Sequence, residues 1–134
     1  MTKQELCQLA IEAKGRSYAP YSGFCVGAAL LTAAGNVYIG CNIENAGYTP
    51  TVCAERTAVF KAVSEGEREF AMLAIVGGKG AEIDASVPPC GVCRQVLAEF
   101  CSPEFPILLV KSEMEYDECT LGELLPRAFG PGML

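Results

Sequence analysis

The sequence predicts an α/β fold, a layered sandwich of helices packed on a sheet. Short apolar runs alternate with segments whose apolar residues recur at helical spacing, and clusters of Gly, Pro and Asn mark the joins. The 134 residues are expected to form one domain over 1–134, long enough to bury roughly two-thirds of the surface that the unfolded chain exposes. No internal repeat, linker or low-complexity segment interrupts the pattern.

Residues 3–17 set Leu6, Leu9, Ala10 and Ala13 at helical spacing, and the run from Tyr18 to Gly23, rich in turn residues, ends that pattern. Two short strands are expected over 26–31 and 36–41, joined through Ala34, Gly35 and Asn36 as a hairpin. Residues 42–52 are polar, aromatic and Pro-bearing. They read as a loop that delivers the chain to a helix running from about Cys53 to Glu65, with Gly66 as its stop. Residues 72–76 read as a buried strand and 77–89 as a Gly/Pro-rich loop, of which 79–87 carries no pattern with a functional reading. A second helix is expected over 91–100, a strand over 107–110 and a short helix near 121–125.

Composition removes several classes of function. Net charge is −6 and the pI is about 4.6, with no basic run longer than two residues, so a polynucleotide partner is disfavoured. No apolar run approaches the roughly 18 residues a membrane span needs. The first fifteen residues read as an amphipathic helix rather than a secretory signal, which makes a reducing cytoplasm the expected compartment. There, eight cysteines favour metal or redox chemistry over a disulfide framework. The chain contains no histidine, which excludes every mechanism built on an imidazole base and leaves acid–base work to carboxylates or to a metal-activated water. Hydrophobic residues make up 51% and mean hydropathy is +0.27, a richness that hints at apolar surface covered by other subunits.

Two segments carry the chemistry: TVCAERTAVF at 51–60 and PPCGVCRQVL at 88–97. Each sets a cysteine at a helix start, where unpaired N–H groups and the positive end of the helix dipole favour thiolate, the form that binds a soft or borderline cation. Cys90 and Cys93 are one helical turn apart, and a crossover through the intervening strand and loop is expected to bring Cys53 beside them at the ends of adjacent strands. Three protein ligands leave a tetrahedral zinc one position open for water, the mark of a catalytic site. Glu55, two residues past Cys53, is the only acid–base group next to this constellation and is expected to shuttle protons. Arg56 and Arg94 are the cations near enough in sequence to offset the thiolates. Two alternatives stand beside this reading: a thioredoxin-like redox pair at Cys90 and Cys93, and a structural four-thiolate site closed by Cys101 or Cys41. Cys7, Cys25, Cys41, Cys101 and Cys119 otherwise read as buried small hydrophobes or idle thiols.

Cys-Ala-Glu paired with Pro-Cys-Gly-Val-Cys fits the zinc deaminase signature in its three-cysteine form. Along nearly its whole length the chain resembles the small homotetrameric cytidine deaminases, through YAPYSGFCVGAALL at 18–31, GCNIENAGYTPTVCAERTA at 40–58, PPCGVCRQ at 88–95 and ELLPRAFG at 123–130. The resemblance implies a three-layer α/β/α sandwich with a mixed, roughly five-stranded sheet. It also implies one Zn2+ per subunit held by Cys53, Cys90 and Cys93, and hydrolytic deamination of cytidine and 2'-deoxycytidine in pyrimidine salvage, with Glu55 as catalytic residue.

Carried over by position, the resemblance implies that Asn42 and Glu44 hydrogen-bond the ribose hydroxyls and that Phe24 packs on the pyrimidine. Backbone groups around Thr51, Cys53 and Ala54 would orient the exocyclic amine. Ala46, Tyr48 and Phe129 would complete the sites of neighbouring subunits in a homotetramer, and Arg56 would hydrogen-bond the ligand sulfurs and temper their charge. Among relatives, a deaminase of another aminopyrimidine nucleoside, such as a blasticidin S deaminase, is opposed by the sugar loop Asn-Ile-Glu-Asn-Ala at 42–46. A polynucleotide editor would need a cationic groove that this acidic chain lacks.

Overall fold

Period-two alternation along the strands sorts apolar side chains to two faces, and helices cover both. The computed structural model describes residues 1–84 and 87–134. In chain order it contains α1 (Lys3–Lys14), β1 (Phe24–Thr32), β2 (Val37–Cys41), α2 (Ala54–Ser64), β3 (Phe70–Lys79), α3 (Gly91–Phe100), β4 (Pro106–Val110), β5 (Tyr116–Thr120), α4 (Leu121–Leu124) and a 3-10 turn at Pro131–Met133. The sheet order is β2-β1-β3-β4-β5, with β3 and β4 parallel and every other pair antiparallel. Ala29, Ala74, Val76, Leu108 and Val110 meet Leu6, Cys7 and Ala10 of α1 on one face. Ala28, Leu30, Leu73, Ile75, Ile107 and Leu109 meet Ala54, Ala58, Val59 and Ala62 of α2 and Leu97 of α3 on the other. Three layers and a mixed five-stranded sheet match the expected fold class.

The boundaries differ from the sequence reading where local chemistry intervenes. A capping box between Thr2 and Glu5 starts α1, and the helix ends at Lys14 rather than near residue 17, because Ser17 turns its hydroxyl back to the Lys14 carbonyl at 2.8 Å. The hairpin forms as expected, with Gly35 at φ 92°, a left-handed conformation that suits glycine. Strand β3 continues through Gly77 and Gly78, which had read as loop. Both stay extended because they pair with Val26 and Cys25 of β1, and a side chain at Gly78 would run into the Glu82 carbonyl. Of the loop expected over 77–89, residues 85 and 86 lie outside the described residues. Strand β5 was not read from the residues at all. It is an edge strand bearing Asp117 and Glu118, held by backbone pairing with β4 rather than by apolar alternation.

The topology decides where a site can form. Strands β2 and β3 both run antiparallel to β1, so their C-terminal ends and the first residue of β1 share one edge. Helix α2 follows β2, and α3 bridges the parallel pair β3 and β4, so both helices open at that edge. The strands delivering them are not adjacent, as the sequence had suggested, but flank β1. Helix α2 approaches β2 closely over Gly40, where an added Cβ would stand 2.5 Å from the Ala54 carbonyl oxygen and 2.6 Å from the Ala58 nitrogen. Gly40→Ala is therefore expected to push the start of α2 off the sheet, lowering stability by about 2 kcal/mol in urea unfolding and reducing bound zinc.

Candidate active site

Cys53 and Cys90 are the N-cap residues of α2 and α3, each with extended backbone and no side-chain cap bond, and Cys93 lies in the first turn of α3. The sequence had begun the first helix at Cys53; the cap position leaves that sulfur beside the open N–H groups of the first turn. The Cys90 sulfur stands 3.6 Å from that of Cys53 and 3.4 Å from that of Cys93, and all three lie within 4.8 Å of one another. Two zinc–sulfur bonds of ~2.3 Å at a tetrahedral angle separate their sulfurs by roughly 3.8 Å, so the spacing fits a zinc ion. Neither Cys41 nor Cys101 is part of this group, which argues against a four-thiolate structural site.

The charges around the sulfurs are unequal. Hydrogen bonding from Cys93, then from Arg56 and Cys90, draws the Cys53 thiol down to about 5 against its burial. The same contact holds the Cys93 thiol well above its ordinary value, since a neighbouring thiolate and burial both oppose a second negative charge. Arg56 donates from Nη2 to the Cys53 sulfur at 3.4 Å, and that contact raises its own pKa. Arg94, the other expected cation, turns away: its Nε donates to the Pro89 carbonyl at 2.7 Å and its Nη1 to that of Leu124 at 2.6 Å. It ties the loop entering α3 to the end of α4.

Glu55 lies in the first turn of α2, only 4% exposed, and its Oε1 has no hydrogen-bond partner among the described residues. Burial pushes its pKa up to about 7, and the nearby Cys53 charge adds to the rise. A carboxyl oxygen left without a donor in such a setting is costly to bury, and a group with a pKa near neutrality both takes and gives protons readily. Thr57 steadies the same turn, its hydroxyl reaching the carbonyls of Cys41 and Cys53 at 3.0 and 3.2 Å.

Asn42 follows the end of β2 and Phe24 begins β1, at the same sheet edge. Asn42 is buried and bridges β1: its Nδ2 donates to the Phe24 carbonyl and its Oδ1 accepts from the Val26 N–H, both at 2.8 Å. Half of its hydrogen-bonding capacity is thus committed to the strand, leaving one N–H and one lone pair. Glu44 accepts from the backbone N–H groups of Tyr21 and Ser22, at 2.8 and 3.1 Å, and from the Ser22 hydroxyl. Those bonds, the hydroxyl's first, hold its carboxyl below the usual range. Phe24 begins β1, its ring packed where a Gly77 side chain would stand. Ala54 is fully buried as the first residue of α2.

Ala46 and Tyr48 lie exposed on the loop before α2. That loop is wired by Asn45, whose Oδ1 accepts the Gly47 N–H, and by Thr51, whose hydroxyl accepts the Asn45 N–H. It holds Tyr48 at φ 61°, left-handed for a residue with a side chain, and 73% exposed, edge-on to Tyr21. Tyr21, Ser22, Glu44, Asn45, Tyr48 and Thr51 line a cleft of about 390 Å3. Phe129 is 56% exposed, its carbonyl accepting from Gln95 of α3 at 2.8 Å. Sequence reasoning missed Ser22, although a serine placed just before a turn glycine and an aromatic strand start was a usable sign.

Residues 1–109 match the cytidine and deoxycytidylate deaminase zinc-binding region. The chain belongs to the cytidine deaminase family. It is 49% identical to the cytidine deaminase of Sporosarcina psychrophila over 96% of its length and 92% of the relative's. It is 50% identical to that of Halalkalibacterium halodurans over 96% and 95%. The crystal structure of cytidine deaminase from Burkholderia pseudomallei superposes with a TM-score of 0.88 at 44% identity, covering 96% of this chain and all of that one. For the enzyme from Mycobacterium tuberculosis the values are 0.81 and 39%, over 97% and 98%. Family membership and the three-sulfur group together make zinc the cofactor, one ion per chain. Among the described residues no helix is long and apolar enough to cross a membrane.

Cys90→Ala is expected to lower bound zinc well below one per chain and to cost several kcal/mol of stability in the zinc-loaded protein. Metal analysis and urea unfolding in parallel check both.

Proposed function

We propose that this chain catalyses the zinc-dependent hydrolytic deamination of cytidine and 2'-deoxycytidine to uridine and 2'-deoxyuridine with release of ammonia, serving pyrimidine salvage in the cytoplasm. The observation that carries the reading is Glu55, a buried carboxyl whose Oε1 has no hydrogen-bond partner among the described residues, in the helix turn that begins beside Cys53, in a chain without histidine. Residues 1–134 act as one catalytic domain, with Cys53, Cys90 and Cys93 as the zinc ligands.

Zinc so held acts as a Lewis acid, lowering the pKa of water and stabilising negative charge on oxygen. Glu55 takes the proton of the attacking water, delivers it to N3 of the pyrimidine, and carries the second proton to the amino group leaving C4. Its raised pKa suits both directions of transfer. Arg56 tempers the sulfur charge, so that the ligands do not cancel the acidity the metal provides. Phe24 offers a ring face to the base, Asn42 and Glu44 take the ribose hydroxyls with the valences left free by their own bonds, and the backbone at Ala54 orients the amine.

The assembly is a homotetramer in which Ala46, Tyr48 and Phe129 reach the sites of neighbouring subunits. Exposed Tyr18, Tyr21, Ile43 and Tyr48 near the site edge support this, as does the exposure of Phe129. The net charge of −6 supports a free nucleoside over a polynucleotide as substrate.

Incubation of the zinc-loaded chain with cytidine is expected to give the ultraviolet change of uridine formation; no change in a fully metallated sample overturns the activity. Glu55→Gln is expected to keep fold and zinc while kcat falls by about a thousandfold, because one general acid–base group contributes roughly 10²–10⁴. Sedimentation of the native protein as a four-chain particle tests the assembly, and a monomer at assay concentration refutes it.

A further inference from the structure

Glu44 is held by a turn of the chain that precedes β1. Its Oε1 accepts the Tyr21 N–H at 2.8 Å and the Ser22 N–H at 3.1 Å, and its Oε2 accepts the Ser22 hydroxyl. The Ser22 oxygen in turn accepts the Phe24 N–H at 3.0 Å. A hydroxyl has one proton, and the Phe24 N–H cannot accept it, so the direction is fixed: Ser22 donates to Glu44 and accepts from Phe24. One exposed side chain thereby joins the loop carrying Glu44 to the strand start carrying the Phe24 ring.

A carboxylate accepts hydrogen bonds at about four sites, and the turn occupies three of Glu44's. An unrestrained Glu samples many rotamers and would have to be ordered each time a ligand bound. Three donors from one turn remove that cost beforehand and leave a single acceptor site on Oε2, the oxygen that Ser22 holds. We infer, resting on Glu44 as the group that takes the sugar, that Ser22 is the positioning residue for sugar recognition, fixing the Glu44 carboxylate and aligning it with the Phe24 ring. Ser22 touches no reacting atom, so its effect falls on substrate binding and on preference for the sugar hydroxyls, not on the chemical step.

The test compares cytidine with 2',3'-dideoxycytidine, which lacks the 2' and 3' hydroxyls and keeps the 5' hydroxyl, on zinc-loaded full-length protein carrying Ser22→Ala, Ser22→Thr, Glu44→Gln or the Ser22→Ala/Glu44→Gln pair. Zinc content and thermal melting are measured for each, and Ser22→Gly provides a second way to delete the hydroxyl. Ser22→Ala is expected to raise KM for cytidine about tenfold with kcat within about twofold, as fits a lost hydrogen bond to a charged group. KM for dideoxycytidine should change far less, Ser22→Thr should restore most of the loss, and the double variant should be no worse than Glu44→Gln alone. If Glu44→Gln abolishes the preference for cytidine while metallated Ser22→Ala and Ser22→Gly leave it intact, the role given to Ser22 is wrong and that of Glu44 survives. If Glu44→Gln itself leaves the preference unchanged, the sugar-binding reading of Glu44 fails and takes the inference with it.

Discussion

Three sulfur atoms within 4.8 Å of one another set the terms for the rest of the molecule. Each is a latent anion, and in a partly buried setting they cannot all ionise unless a cation lies among them. The surroundings favour one thiolate, at Cys53, through hydrogen bonds from Cys93 first and then from Arg56, and that thiolate opposes a second at Cys93. A dication held among them would reverse the balance for all three, and metal binding of that kind couples to folding free energy. The fold's contribution is geometric. Antiparallel pairing on both sides of β1 brings two helix starts to one edge of the sheet, and close approach over Gly40 fixes one of them.

The site uses one chemical group in two opposite ways. Glu55 is buried, its Oε1 without a partner among the described residues, and burial raises its pKa to about 7. Glu44 receives three donors from a turn, and its proton affinity falls. Desolvation governs the first and hydrogen bonding the second, the two effects that most readily separate carboxyl groups of like kind. A group that exchanges protons near neutrality suits chemistry, and one that stays charged and fixed suits recognition. With no histidine in the chain, the environment of each carboxyl has to set its role.

The meeting of the three sulfurs was legible because its signal is local. Cys53, Glu55, Cys90 and Cys93 sit at helix starts that Pro residues and apolar spacing announce, and their convergence needed only an α/β crossover. Family resemblance supplied what periodicity did not, including a fifth strand whose charged edge residues give no alternating pattern. What stayed hidden was long-range and polar. Arg94 is nearer in sequence to a cysteine of the cluster than Arg56 is, yet two backbone carbonyls claim it. Asn42 looked free for ligand but also braces β1, and Ser22 looked like an ordinary turn residue. Such commitments depend on which backbone atoms a fold leaves unpaired, and spacing along the chain carries no record of that.

Tyr48 shows how the proposed assembly accounts for a local expense. A left-handed backbone costs a side-chain-bearing residue roughly 1–2 kcal/mol, and a wired turn through Asn45 and Thr51 enforces it here while leaving the ring 73% exposed. Within one chain the ring meets Tyr21 edge-on. Burying most of a tyrosine against a neighbouring subunit returns more than the strain, since even half of its 150–250 Å2 is worth about 2 kcal/mol at roughly 25 cal/mol per Å2. On the proposed assembly the strained turn and the exposed ring form one device: the loop that carries Glu44 would also present the contact surface, so that subunit association and the shape of the cleft beside Glu44 would be set by the same few residues.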